Sequence, residues 1–342
     1  MIKQNLYWID AIKGICMLCV YLCHSEIYYS TDSLGLGYWV KPFYVNAFFF
    51  VSGYLFFGKW LIHRKLTDIN GGGYRDAIKN LFFRLVLPTI LFSSLIYIPK
   101  IAFHAGSFSL GNYVFEVFGG ISYWFTSALT VAQLALFSIM FATKLKSIYA
   151  YVGLGVLLFV AGWYMNSIRE GNEAKDFFPW FYQTGLQYIA MMTVGGLYKT
   201  YESRIDRLPA YVGMITIIAY GLLLLVAKMN HIELKMLGLS GQINLPGLIC
   251  LTLGVTSIIT ICKKLPQFSW LAFIGRNSIL FYFFSGVYPA FVGSITSKIC
   301  PDSTYSVTLI VVIVSVLLGT ITTFILSKYF PFLVDLRKFK QK

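Results

Sequence analysis

The sequence predicts an all-α integral membrane protein, a bundle of about ten transmembrane helices with both termini cytoplasmic. Composition is the first observation behind this. Of 342 residues, 57% are apolar, 18% aromatic and only 12% charged, whereas a soluble domain averages about 25% charged. Mean hydropathy is +0.69. That much apolar surface cannot be hidden in one globular core, so the surrounding solvent has to be lipid. The second observation is a series of apolar runs of about 20 residues, the length a ~30 Å hydrocarbon core requires. The third is where the basic residues fall between those runs.

The runs lie at 9–29, 40–61, 81–101, 121–142, 147–165, 178–199, 209–228, 243–262, 269–293 and 306–328. The first is a full span long with no A-x-A-like site behind it, so it is expected to stay as a signal anchor. The second carries the aromatic stretch "YVNAFFFVSGYLFF" (44–57), and the third follows the basic segment "YRDAIKN" (74–80). The fourth opens on "YWFTSAL" (123–129), and the ninth holds "FIGRNSILFYFFSG" (273–286). The longest loop is about 20 residues and no internal repeat is visible, so residues 1–342 read as one membrane domain without a separate soluble part.

Lysines and arginines set the orientation. The N-terminus, the loops after even-numbered runs and the C-terminus hold 19 of them, the opposite loops 7. The richer side is cytoplasmic by the positive-inside rule. This also accounts for the net charge of +14 without nucleic acid, because the charges sit in short loops and not on a folded basic face. Lys13 and Arg276 fall inside runs, and that count leaves them unexplained. Cys16 and Cys19 form a C-x-x-C within an apolar helix, outside the strand-to-helix setting of a redox site, and read as packing residues. No zinc-type spacing or other metal site is visible.

Ionisable groups inside a span are costly and mark either function or a pair. Lys13 and His24 are eleven residues apart. Eleven steps of 100° return to within ~20°, so on a helix both face one way, ~16 Å apart along the axis. Asp10, three residues before Lys13, is placed to pair with it. Glu26 lies nearly opposite His24 and is expected in the outer headgroup region. Histidine is the side chain best suited to moving protons near neutral pH. The competing reading of His24 is a core histidine bonded to a neighbouring helix, and Tyr21 and Tyr28 could hold the ring in either case. Phe48, Phe49 and Phe50, followed by Ser52 and Gly53, read first as close helix packing at small residues. Arg75, Lys79 and Arg84 enter the third run from the cytoplasm, where they could snorkel to lipid phosphates or clamp a phosphorylated ligand. Arg276 and Asn277 stand just inside the ninth run. His63, His104 and His231 lie in loops or at run edges.

"IDAIKGICMLCVYLCHS", "NAFFFVSGYLFF", "KNLFFRLVLP", "YWFTSAL" and "FIGRNSILFYFFS" resemble, in the same order, the successive signatures of the membrane-bound acyltransferase 3 family. The resemblance runs from residue 8 to about 330. No single stretch is specific, but five in register are. It implies a ten-span bundle with no bound cofactor, which uses acetyl-CoA or another acyl-CoA from the cytoplasm as co-substrate. It implies transfer of the acyl group, acetyl above all, to a hydroxyl of a cell-envelope saccharide or glycolipid, by a multi-pass protein of the bacterial cytoplasmic membrane. His24 is then the catalytic residue, as general base or transient acyl carrier. Lys13, Lys79 and Arg84 are then the acyl-CoA-binding residues. Asp10, Asn46, Ser52, Trp124 and Asn277 are the orienting or oxyanion candidates. Three positions depart from the family's pattern. Lys13 replaces a usual arginine and loses its bidentate fork, Leu81 replaces the first of two arginines of which Arg84 matches the second, and Ser285 replaces a common histidine.

Two other readings stand beside the enzyme. One is a proton-coupled transporter or flippase of an envelope precursor, with His24 and Lys13 as its path. The other is a non-catalytic partner subunit. The absence of a visible repeat counts against the first, and the presence of His24 against the second. Tyr38, Trp39, Trp163 and Trp180 in the outer loops could stack on a sugar or form an interfacial aromatic belt.

Overall fold

The structure, a computed structural model, describes residues 7–62, 72–103, 108–170, 179–235 and 243–330. Among them every regular element is helical. The order begins α1 (Tyr7–Ser25), α2 (Tyr44–Phe57), α3 (Gly72–Leu81), α4 (Leu87–Phe103), α5 (Leu110–Phe118), α6 (Trp124–Thr143) and α7 (Ile148–Glu170). It continues with α8 (Tyr182–Ile205), α9 (Ala210–Met229), α10 (Leu245–Lys264), α11 (Ser269–Arg276), α12 (Ser278–Phe284), α13 (Val287–Ile299) and α14 (Tyr305–Tyr329). Turns of π-helix extend α1 (Glu26–Ser30) and α2 (Gly58–Ile62), and another joins α3 to α4 (Phe82–Val86).

Among the described residues, eight helical runs are long and apolar enough to cross a membrane, or nine if the bent pair α12 and α13 is one span. The chain is therefore an all-α, multi-pass membrane protein. The expected sixth span corresponds to α8, which is 24 residues long. It carries Gln183, Gln187, Lys199, Glu202 and Arg204 and falls outside those eight.

Three elements differ from the sequence expectation. The third span starts at Gly73 rather than 81, because α3 is itself an amphipathic helix with Ala77 and Leu81 buried and Arg75, Asp76 and Lys79 exposed. The expected loop before the fourth span contains α5, capped by Ser109 Oγ, which accepts the Asn112 N–H at 3.4 Å. The ninth span is interrupted twice. At Asn277 the amide Nδ2 donates to the Phe273 carbonyl at 2.9 Å, satisfying a carbonyl the broken helix leaves open. At Ser285 and Gly286 the axis bends by 41°.

The described chain divides into two compact units. One joins the N-terminal residues up to Phe48 with Leu208–Met236 and Ile243–Phe330; the other is built on Phe49–Arg207. In the first unit α1 is central and packs against α10, α11, α12, α13 and α14. α1 with its π turn buries 67% of its apolar window, against 11% for α9, which leaves α9 facing the solvent, here lipid. In the second unit α8 plays the central part, between α6 and α7.

Candidate active site

In the first unit, α1 runs unbroken from Tyr7 to Ser25, with Asp10 in its first turn, where a helix dipole favours an acid, and His24 near its other end. Lys13 and His24 therefore do share a face, ~16 Å apart along the axis. Both are half-buried. Lys13 Nζ lies 2.8 Å from Asp10 Oδ1, the expected ion pair. Beside it α11 approaches so closely that a Cβ on Gly275 would stand 1.8 Å from the Asp10 carbonyl oxygen. The next residue, Arg276, is exposed and ends α11 at the level of that pair.

The His24 ring stacks on Tyr28, with centroids 6.1 Å apart and planes at 15°. Tyr21 is occupied elsewhere, its hydroxyl donating to the Phe281 carbonyl at 3.1 Å. Among the described residues no hydrogen bond ties the imidazole to a neighbouring helix. Glu26, expected among outer headgroups, is instead 1% exposed. Its carboxylate accepts the backbone N–H groups of Leu36 and Gly37, each at 2.7 Å. Those charge-assisted bonds from the returning loop offset the desolvation of a buried carboxylate.

The second unit holds a cavity of about 160 Å³. Ser52, Phe56, Lys59 and Trp60 of α2 and its π turn form one wall. Ala77, Asn80, Leu81 and Arg84 form another, and Gln133 and Phe137 of α6 complete it. Positions 77, 80, 81 and 84 follow the spacing of one helix face. Lys79 points ~160° away from Ala77; it is exposed and does not line the cavity. Thus Arg84 and Ser52 come together, Lys79 stands apart, and Lys13 belongs to the first unit.

The second cation of the cavity is Lys59, whose Nζ lies 4.6 Å from the Trp60 ring centroid. In the sequence Lys59 read only as an orientation signal. Leu81, which also lines the cavity, is 6% exposed. Lys59 and Arg84 are exposed, whereas Phe56, Ala77, Leu85 and Phe137 are buried, so charge sits at the mouth of an apolar floor.

Contacts with α8 hold α2 in place as a cavity wall. A Cβ on Gly53 would lie 2.0 Å from the Met192 carbonyl oxygen, and one on Gly195 2.1 Å from that of Phe50. Phe49 stacks on Tyr188 with centroids 3.8 Å apart. The packing reading of the aromatic stretch therefore holds at Gly53 and Phe49. One turn further on, Tyr54 OH donates to Glu202 Oε2 at 2.5 Å. Lys199 Nζ donates to that hydroxyl at 2.8 Å and to Glu202 Oε2 at 2.9 Å. Tyr54 is 1% exposed. This polar cluster joins residues 145 and 148 positions apart, which no local spacing could reveal.

The other expected residues lie elsewhere. Asn46 is fully buried, and its Nδ2 donates to the carbonyl of Pro42, in the turn just before α2, at 3.1 Å. Trp124 opens α6, ~13 Å along the axis from Gln133. Asn277 serves the break between α11 and α12. Trp180 Nε1 donates to the Phe118 carbonyl at 2.9 Å. Tyr38 and Trp39 lie near Lys228, whose Nζ is 6.0 and 5.4 Å from their ring centroids. His63 and His104 lie outside the described residues.

Apolar helices of spanning length, with an ion pair and a histidine along one face of the first unit's central one, define a polytopic membrane protein that holds ionisable groups in its spans. The acyltransferase 3 family model, described as an acyltransferase domain, matches residues 6–328; the chain belongs to this family and is a membrane acyltransferase. No curated protein and no solved structure matches the chain.

Proposed function

We propose that this acyltransferase moves an acetyl group from cytoplasmic acetyl-CoA to a hydroxyl of a cell-envelope saccharide or glycolipid, in a bacterial cytoplasmic membrane. The observation that carries this reading is α1, which presents a cation and a histidine on one face ~16 Å apart. Coenzyme A has phosphates at one end and a thioester at the end of a long flexible arm, so one donor can engage both. His24 takes the acceptor hydroxyl's proton while the hydroxyl oxygen attacks the thioester carbonyl; the carbon–sulfur bond breaks and CoA leaves as the thiol. In the covalent variant the imidazole accepts the acetyl group first and passes it to the hydroxyl. The stack on Tyr28 orients the ring for either role. Lys13 supplies a charge-assisted contact to the donor phosphates at its end of α1.

Mass spectrometry of envelope glycans and glycolipids from wild-type and deletion cells tests the reading. One saccharide should lose its acetyl mass in the deletion strain and regain it on complementation. Unchanged glycans, together with no transfer from labelled acetyl-CoA in membranes, would refute it.

The orientation follows from charge, with the loop at 62–76 on the cytoplasmic side. Part of that charge lies at 63–71 and 331–342, outside the described residues. In a cysteine-free variant, a single cysteine replacing Ser33 should react with an impermeant thiol reagent in intact cells. One replacing Asp68 should not. The opposite labelling pattern inverts the orientation.

A further inference from the structure

We propose that Tyr38, Trp39 and Lys228 form a subsite for an acidic saccharide, in which one sugar ring stacks on Trp39 and its carboxylate or phosphate meets the Lys228 ammonium. This rests on the acceptor reading above and deepens it, because it makes the acceptor chain anionic. All three residues belong to the first unit.

The corner is built before any ligand arrives. Tyr38 and Trp39 end the short helical turn Gly37–Trp39 in the loop between α1 and α2. Their rings meet edge to face, with centroids 5.7 Å apart and planes at 89°. Tyr38 OH donates to the Leu224 carbonyl of α9 at 3.2 Å, and Tyr220 OH of the same helix donates to the Trp39 carbonyl at 2.8 Å. At the start of the turn, Leu36 and Gly37 donate to Glu26. Two large rings are thereby held at right angles, and both are only half-buried. A belt residue needs its ring at the headgroup level but none of this bracing.

Lys228 gives the corner its charge. It lies in the last turn of α9, with Nζ 5.4 Å from the Trp39 centroid and 6.0 Å from that of Tyr38. Around the helix it stands ~40° from buried Leu224, ~120° from exposed Leu222 and ~160° from exposed Val226. It therefore turns toward the loop and away from the lipid-facing stripe, an orientation that snorkelling to headgroups does not require. Lys41 and Lys235 have acidic neighbours in Asp32 and Glu233, at 3.9 and 3.7 Å. Lys228 forms no ion pair among the described residues. The flat face of Trp39 suits the C–H face of a sugar ring. An anion on that sugar lets the ammonium exchange a weak contact with the ring for a charge-assisted one.

Position decides which part of the acceptor sits here. A Cβ on Gly37 would lie 3.2 Å from Glu26 Oε2 and 3.4 Å from Cys23 Sγ, so the turn packs at the His24 end of α1. Around that helix, however, Glu26 points ~160° away from His24. The sugar on Trp39 is therefore a neighbour, in the acceptor chain, of the one whose hydroxyl reacts. Its contacts are the same before and during acyl transfer, so they act on KM and not on kcat.

The acceptor for the test is the envelope glycan that loses acetyl in deletion cells, purified and deacetylated with mild base. Transfer from acetyl-CoA is measured with the purified full-length protein in detergent. Lys228→Gln and Trp39→Leu should each raise the acceptor KM about tenfold, the scale of one charge-assisted contact, and leave the KM for acetyl-CoA as it was. Lys228→Arg should keep most of the affinity. Lys298→Gln, the same loss of charge in the last turn of α13, should match wild type. Chemical removal of the glycan's acidic groups should raise KM for wild type but not for Lys228→Gln. An acceptor KM equal to wild type in both Lys228→Gln and Trp39→Leu, or an acceptor without acidic groups, overturns the subsite and leaves the acetyltransferase reading intact. So does a KM shift that appears only when phosphatidylglycerol is added, which assigns the corner to a lipid headgroup. Wild-type protein that transfers acetyl to no glycan overturns the acceptor reading itself, and the subsite with it. Size-exclusion profiles of each variant identify any that have merely unfolded.

Discussion

Replacing His24 with alanine should lower acyl transfer by roughly 10²–10⁴-fold, the usual cost of losing a general base, and by more if the imidazole carries the acyl group. Donor binding should survive. The Lys13–Asp10 pair lies ~16 Å along α1 from His24, and substitutions that far apart without shared partners act independently. Asn and Gln at position 24 should be as inactive as Ala, because they keep size and hydrogen bonding but not basicity. A burst of free CoA equal to the enzyme concentration, with acetyl-CoA and no acceptor, would mark the covalent carrier. Its absence would mark the base. Near wild-type transfer by purified His24→Gln would make the histidine structural and end this mechanism.

The second large effect is on stability. Gly53→Ala places a methyl group 2.0 Å from the Met192 carbonyl oxygen, a backbone atom that cannot rotate away. α2 and α8 would have to separate, and the Phe49–Tyr188 stack and the Tyr54–Lys199–Glu202 cluster depend on their closeness. Overpacking of this kind costs about 1–3 kcal/mol, occasionally more. The variant should show a markedly lower Tm and a loss of monodisperse protein in detergent. Gly221→Ala in α9 is the control. A Cβ there meets nothing within 4 Å, and alanine gains about 0.8–1 kcal/mol of helix propensity over glycine. Equal Tm values for the two variants would show that the α2–α8 contact is not as close as described.

Features with a local pattern were legible beforehand. Lys13 and Asp10 are three residues apart on one helix, so the arithmetic of 100° per residue predicted the pair that the structure contains. The small step at Gly53 announced close packing, though not against which helix. The reading of Glu26 went wrong because nothing near it in the chain could satisfy a buried carboxylate. Its partners, the N–H groups of Leu36 and Gly37, arrive only when the loop returns ten and eleven residues later. The ninth span read as one run because hydropathy does not register helix breaks. Asn277 and Gly286 are as compatible with a continuous apolar segment as with an interrupted one.

The sequence by itself determined the class. Its apolar content excludes a water-soluble core, and its ordered motifs place it in a family of acyltransferases. It also determined which ionisable residues lie within apolar segments, since cost in lipid depends on the side chain and its depth. Only the tertiary structure decided which of those residues meet. Lys79 and Arg84 looked equivalent as charges near one another, yet five helical residues turn them to different faces, and the cavity takes Arg84 alone. Lys59 looked like an orientation signal until the fold set α2 beside the α3–α4 junction. Periodicity fixes the direction of a side chain about its own helix axis, but what stands opposite depends on contacts between distant segments. Here those are the glycine contacts of α2 with α8 and the cluster around Tyr54.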